Sequence, residues 1–390
     1  MYCMFHTARY KYRLYPNAEQ RKALACTFGC ARYVYNWGLA IRKEEHMTYA
    51  ESSKLLTALK KETEWLNDVS SVAVQQSLRD LHTAFVNFFN KRAEFPSFKK
   101  KSHRQTARFV QTSFQLKSGK LSLSRVSGPV KVAWSRELPS VPSSVTIERD
   151  PSGRYFASFV VVFKPIKLPA RDKRVGIDLG ITDLIVTSDG LKSGNHRHFQ
   201  RLEKRLAQAQ RSLSRKQKGS NNRRKQRLKV AKIHAGIADR RKDELDRLST
   251  KIVRTYDLIC VEDLAVKNMV RNKRLSKAIS NASWGTFVRM LEYKAEWYGS
   301  AVVKIDRWYP SSKTCSNCGY VVDKLPLNIR VWTCSRCMAV LDRDINAAKN
   351  ILAVGSTVWR SRRCDIAQSS DASGGSVNPV AAMCGEGCSR

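Results

Sequence analysis

The sequence predicts a multidomain protein of the α/β + β class: a β-rich module with a helical insertion, then an α/β domain followed by two CxxC pairs. Three observations predict it. Hydrophobic periodicity is helical before about Arg108, strand-like after it, and α/β in grammar beyond the proline-bearing linker "KPIKLPARDKR" at 164–174. Two CxxC pairs stand close together near the C-terminal end. Buried-looking strands run straight into acidic residues.

Each element follows in turn. "TARYKYRLYP" alternates as a strand, closed by Pro16 and Asn17. Leu24, Phe28, Ala31, Tyr35 and Leu39 then keep helical spacing, as do Val74, Leu78, Leu81, Phe85 and Phe88, so a small helical bundle is expected. "RFVQTSFQL", "KLSLS", "VKVAW" and the hairpin "SVTIERDPSGRYFASFVVVF", turning at Asp150-Pro151-Ser152-Gly153, read as strands of a β-barrel-like module. The first strand joins that module across the helical insertion. Beyond the linker, "RVGIDLG", "LIVTSDG", "YDLICVEDL" and "AVVKIDRW" read as strands separated by helices. The Ser-, Gly- and Ala-rich tail after about Gly355 is expected to be disordered.

Charge narrows the function. The 390 residues carry 71 Lys+Arg against 33 Asp+Glu, a formal +38, which suits a surface that neutralises phosphates and releases their counterions. No apolar run of membrane-spanning length exists and the N-terminus lacks a signal-peptide core, so the protein is read as cytoplasmic with no membrane partner. Between Arg197 and Lys232 stand 14 Lys/Arg against one acid, Glu203, in a helical stretch broken at "KGSNN". Such a block is a nucleic-acid contact or a solvated hairpin, and solubility needs far less charge than this. "FPSFKKKSHRQTARF" is either a backbone-and-stacking surface or a packed Pro-aromatic turn with a basic edge. Lys99, Lys100, Lys101, Arg215, Lys216, Arg223, Arg224 and Lys225 are the candidate nucleic-acid contacts.

The eleven cysteines do not form a disulfide pattern. Cys315 and Cys318, then Cys334 and Cys337, are two CxxC turns with fifteen residues between them, the spacing of a closed tetrahedral four-cysteine site for one structural Zn²⁺. Four thiolates leave no open position for a catalytic water. Cys26 and Cys30 are expected to be packed thiols, and Cys384 and Cys388 to bind nothing.

Against the basic background three acids stand out. Asp178 lies in "GIDLG", at the end of a strand whose glycines let a ligand come close. Glu262 lies in "LICVEDL", and Asp344 in "LDRDINAAKN" at a helix start. Acids gathered at one sheet edge repel each other unless cations neutralise them, and oxygen-only ligands suit two Mg²⁺ or Mn²⁺ ions for phosphodiester hydrolysis. Singly, Asp344 or Asp342 is an ordinary helix cap and Asp263 a turn residue. Together, Asp on a first strand, Glu on a later central strand and Asp on a late helix is the order of RNase H-like nucleases, the RuvC type included.

The motifs "YRLYPNAEQ", "FPSFKKK", "RVGIDLGITDL", "VEDL", "ASWGTFVRMLEYKAEWYG", "WYPSSKTCSNCG" and "LDRDINAAKNI" run in this order from residue 9 to about 355. In them the chain resembles the TnpB (OrfB) proteins of bacterial insertion sequences, relatives of the type V CRISPR nucleases. The resemblance implies a transposon-encoded RNA-guided DNA endonuclease whose guide RNA derives from the transposon end and whose target is double-stranded DNA beside a short flanking motif. It implies a β-barrel wedge domain at 1–16 and 104–168 and a helical recognition lobe at 17–103. A RuvC-like nuclease domain is implied at 169–310 and 339–355, a target-binding zinc ribbon at 311–338, and a disordered tail at 356–390. Asp178, Glu262 and Asp344 match the family's catalytic acids, with Asp342 accessory. The competing functions are a nuclease-inactive RNA-guided DNA-binding repressor, which would lack one of these acids, and a strand transferase or accessory transposition protein. No Tyr stands in a His-hydrophobic-His context, which disfavours relaxase-like transfer.

Overall fold

The computed structural model describes residues 5–44, 47–194, 197–273, 276–326 and 328–371. The chain divides into two compact units, Met1–Pro165 with Arg205–Gly236 and Ile166–Lys204 with Ile237–Arg390.

In the first unit the alternating opening segment forms β1 (His6–Tyr15), with Ala8, Tyr12 and Leu14 buried. Asn17 then caps the next helix: its Oδ1 accepts the Gln20 N–H at 2.8 Å, while Gln20 Oε1 accepts the Asn17 N–H at 3.1 Å. The Gln20 amide also donates to the carbonyls of Ser127 and Pro129. One residue of "PNAEQ" therefore starts the helix and ties it to the β-module. Helices α1 (Ala18–Glu44), α2 (Tyr49–Glu62) and α3 (Ser71–Phe89) follow. Leu24, Phe28, Ala31, Tyr35 and Leu39 of α1 and Val74, Leu78, Leu81 and Phe85 of α3 are buried, as the spacing predicts, and Phe88 is half-buried.

The β-module comprises β2 (Gln105–Val110), β3 (Phe114–Lys117), β4 (Lys120–Leu123), β5 (Lys131–Ala133), β6 (Ser144–Arg149) and β7 (Tyr155–Phe163). Its five-stranded antiparallel sheet runs β2-β6-β7-β1-β5, with β3 and β4 paired separately. The first strand pairs with β7 from His6↔Phe163 to Leu14↔Tyr155, across the helical insertion. Tyr12, Phe109, Ile147 and Phe159 fill a core that β3 and β4 share through Phe114 and Leu121. The turn between β6 and β7 closes by a bond from the Gly153 N–H to the Asp150 carbonyl at 2.9 Å, with Gly153 at φ 83°.

The second unit contains β8 (Arg174–Asp178), β9 (Val186–Thr187), β10 (Leu258–Glu262), β11 (Ala301–Ile305), β12 (Val331–Thr333) and β13 (Val340–Asp342). Its helices are α6 (Val266–Met269), α7 (Ser276–Ala282), α8 (Trp284–Tyr298) and α9 (Arg343–Asp371); α4 (Arg197–Ser214) and α5 (Asn221–Thr255) belong in part to each unit. The sheet order is β11-β10-β8-β9, with β8, β10 and β11 parallel and β9 antiparallel to β8. Side chains alternate across it. Val175, Ile177, Ile259 and Val261 pack with Phe287 and Leu291 of α8 on one face, whereas Leu258, Cys260, Val303 and Ile305 meet Ile351 of α9 on the other.

Two glycines let α9 lie close to the sheet. A Cβ at Gly176 would stand 2.0 Å from the Ala348 carbonyl oxygen, and one at Gly355 would stand 2.4 Å from Cys260 Sγ. Gly176 thus admits a helix where the sequence suggested room for a ligand. The tail is also different from expectation: α9 continues through Asp371, and within it Val358 and Trp359 add apolar contacts to the β10–β11 face. Residues 372–390, with Cys384 and Cys388, lie outside the described residues. Cys26 is exposed and Cys30 buried, both as free thiols. Among the described residues no helix is long and apolar enough to cross a membrane.

Candidate active site and metal centre

Parallel pairing places two of the acids. Val261 of β10 is in register with Ile177 of β8, so Glu262 and Asp178 are the next pair at the carboxyl ends of adjacent strands. Alternation turns both side chains to the face that α9 covers, since their flanking residues Ile177 and Val261 point to the opposite face. Asp344 arrives in the first turn of α9.

Burial, then repulsion from Glu262 and Asp344, pushes the Asp178 carboxyl up to about 7. Both other acids thus act on Asp178. Glu262 accepts a hydrogen bond from Ser311 Oγ at 2.6 Å, and Asp344 faces the Arg330 guanidinium at 3.3 Å. Arg330 stands in no motif of the sequence, because it reaches Asp344 only through the β12–β13 hairpin. Val331↔Asp342 pairing and the Arg343 N–H to Arg330 carbonyl bond at 2.8 Å set it there.

Asp342 has a different role from Asp344. Its Oδ1 accepts the N–H groups of Asp344 and Ile345, both at 3.0 Å, and its Oδ2 accepts from Lys192 Nζ at 2.7 Å. It is therefore the cap of α9. Against the penalty of burial, Lys192 and these N–H donors hold its carboxyl below the usual carboxylate range. Asp263 pairs with Arg307, consistent with a structural turn residue.

The cysteines converge fully. Their sulfur atoms all lie within 4.8 Å of one another, with Cys315–Cys337 and Cys318–Cys334 each at 3.7 Å. A zinc tetrahedron with Zn–S bonds of about 2.3 Å has edges of roughly 3.8 Å, so the donor set fits Zn²⁺. Each CxxC turn folds alike: the Gly319 N–H bonds the Cys315 carbonyl and the Met338 N–H the Cys334 carbonyl, both at 2.9 Å. Both Gly319 (φ 74°) and Met338 (φ 58°) are left-handed. The Asn317 amide and then the Ala339 N–H lower the Cys337 thiol, whereas hydrogen bonding within the cluster leaves the Cys318 thiol raised. Among the described residues this is the one set of ligand atoms so tightly grouped; the acids gather more loosely.

The basic candidates separate into two kinds. Lys99 is built into the fold: Asn36 bonds its backbone on both sides, its Nζ lies 3.7 Å from the Tyr35 ring centre, and burial pushes its ammonium down. In the "FPSF" segment Pro96 is buried and Phe95 meets Phe85 and Phe88, while Phe95 and Phe98 each stay 45% exposed. Arg223 is also structural, donating to the carbonyls of Leu213 and Lys216 at the break between α4 and α5. Lys216 is half-buried, whereas Lys100, Lys101, Arg215, Arg224 and Lys225 are exposed. Lys101, Arg224 and Lys225 line one cleft of about 740 Å³ in the first unit, together with His103, Arg149 and Arg227. Its acid, Asp150, is already bonded by Arg154 and Ser152.

Comparison with known proteins identifies the family of the chain. Residues 147–273 match the family model described as "Probable transposase" (OrfB, IS605 type), residues 284–351 the "Cas12f1-like, TNB domain", and residues 4–50 a "Helix-turn-helix domain". A Streptomyces pristinaespiralis protein named "Putative RNA-guided DNA endonuclease" is 48% identical over 89% of this chain and 89% of its own length. InsQ of Escherichia coli K12, similarly named, is 33% identical over 90% of this chain and 92% of its own. The fold resembles that of Cas12f1 in its complex with guide RNA and target DNA, at TM-score 0.53 and 15% identity, covering 89% of this chain and 98% of that one. On the identity and length of these matches, the chain belongs to the TnpB (OrfB) family of insertion-sequence proteins.

Proposed function

We propose that this chain is an RNA-guided DNA endonuclease that hydrolyses phosphodiester bonds at Asp178, Glu262 and Asp344. The observation that carries the reading is the meeting of two parallel strand ends, bearing Asp178 and Glu262, with the first turn of the helix bearing Asp344. The donor set fits Mg²⁺ or Mn²⁺: oxygen ligands alone, whose repulsion a hard cation relieves. Two such ions, when bound, supply the activated water and neutralise charge on the leaving oxygen.

The protein's own part is to hold and orient. Asp178, Glu262 and Asp344 would bind the cations; Asp342 keeps Asp344 from being used as a cap. Arg330 is placed to turn from Asp344 to a phosphate once the carboxylate is neutralised. The exposed Lys101, Arg224 and Lys225 track a nucleic-acid backbone in their cleft. In this reading 1–16 with 104–168 is a wedge domain and 17–103 a recognition lobe. Residues 169–310 with 339–355 form a RuvC-like nuclease domain, and 311–338 a target-contacting zinc ribbon. The guide derives from the transposon end, and the protein acts in the bacterial or archaeal cytoplasm, at the nucleoid.

The test is purification with bound RNA, sequencing of that RNA, and cleavage of a matching DNA with Mg²⁺. Asp178→Ala, Glu262→Ala and Asp344→Ala should each abolish cleavage while leaving RNA binding intact. Cleavage that survives Asp178→Ala, or the absence of a discrete RNA, would overturn the proposal.

A further inference from the structure

The motif "LDRDINAAKN" contains two asparagines that the nuclease reading leaves unused. Both are buried, Asn346 at 1% and Asn350 at 5% exposure, so their amides need partners inside the fold. They find them on one short segment. Asn350 Nδ2 donates to the carbonyls of Ser311 and Thr314 at 2.8 and 2.6 Å. Asn346 Nδ2 donates to the Thr314 carbonyl at 2.7 Å, and its Oδ1 accepts the Ser316 N–H at 2.8 Å.

This segment joins two sites. Thr314 and Ser316 flank the zinc-ligand candidate Cys315, while Ser311 Oγ donates to Glu262 Oε1 at 2.6 Å. Ser311 is itself buried, at 7% exposure, and its backbone is held from α9, the helix of Asp344. A continuous set of hydrogen bonds therefore runs from the first cysteine knuckle, through α9, to the carboxylate of Glu262.

We propose that Ser311, Asn346 and Asn350 are positioning residues that make the orientation of Glu262, and hence divalent-cation affinity at the carboxylate site, depend on the zinc-bound ribbon. This rests on the reading of Asp178, Glu262 and Asp344 as a cation site. Without zinc the knuckle loosens, the 311–316 segment loses its register on α9, and Glu262 loses the hydroxyl that fixes its rotamer.

The experiment measures Mn²⁺ binding to the full-length, zinc-loaded protein by electron paramagnetic resonance, with Asp178→Ala defining the signal that belongs to the site. Ser311→Ala and Asn350→Ala should keep about one zinc per chain yet weaken Mn²⁺ binding about tenfold, the usual effect of losing a group that orients a ligand. Ser311→Thr, which keeps the hydroxyl, should recover most of it. Removing zinc from the wild type should weaken Mn²⁺ binding similarly, and should add little in Ser311→Ala, because both act through one hydrogen bond. Mn²⁺ affinity within twofold of wild type in Ser311→Ala, or a zinc effect that persists undiminished in that variant, would overturn the coupling while leaving the cation site standing. A wild type with no Asp178-dependent Mn²⁺ signal would overturn the cation-site reading and the coupling with it.

Discussion

Asp342 caps the helix that delivers Asp344, accepting its backbone N–H at 3.0 Å. The acidic pair is thus a division of labour, in which Asp342 satisfies the helix end and Asp344 is left to face Arg330. Asp342→Ala should lower stability by about 1 kcal/mol, the usual loss for a helix cap, and Asp342→Asn should restore most of it. Asp344→Asn should not destabilise, because it relieves repulsion at Asp178. Thermal unfolding of the three variants checks the contrast.

Asp178 makes stability depend on pH in metal-free protein. Its carboxyl is raised to about 7 by burial and by Glu262 and Asp344, against about 3.9 when unfolded. Between those values the folded state holds a proton that the unfolded chain has released, so this contribution to stability falls as pH rises from about 4 to about 7. Asp178→Asn should therefore stabilise the protein at pH 8 in EDTA, by on the order of a few kcal/mol, and give no gain near pH 4. Denaturant unfolding at the two pH values reads this, and an equal gain at both would contradict it.

The ribbon's two knuckles differ at their left-handed residue. Met338 is 70% exposed and has no packing to lose, so Met338→Gly should stabilise the zinc-bound ribbon by up to about 1 kcal/mol. Gly319→Ala should weaken it by a similar amount. Competition with a zinc chelator orders the three proteins. Cys315→Ser should lose the zinc.

Gly176→Ala would drive a methyl into the backbone of α9, at Ala348 and Leu352. The strain has no flexible side chain to absorb it, so a loss of about 3 kcal/mol or more is expected, with cleavage falling as Asp344 is displaced. A melting temperature within two or three degrees of wild type, roughly 1 kcal/mol, would contradict the close approach.

Lys101, Arg224 and Lys225 should act together on nucleic acid. Their combined replacement by Ala should reduce the slope of log affinity against log salt by roughly 0.9 for each duplex phosphate that is no longer neutralised. Arg223→Ala should instead lower the stability of the α4–α5 junction, since its guanidinium serves the Leu213 and Lys216 carbonyls. Salt titrations of binding, set beside unfolding curves, separate the two effects.

Much of this protein was legible from local chemistry. The CxxC spacing, the switch from helical to strand periodicity, and the acids at strand ends are short-range patterns, and each maps onto an element of the structure. Charge was a poorer guide, because Lys99 and Arg223 belong to dense basic runs yet are used by the fold. What the tertiary structure alone decided was partnership: which aspartate caps α9, that Gly176 makes room for a helix, that Arg330 meets Asp344, and that Ser311 holds Glu262. These depend on strand register and helix packing between residues far apart in the chain. Side-chain spacing along one segment carries no record of them.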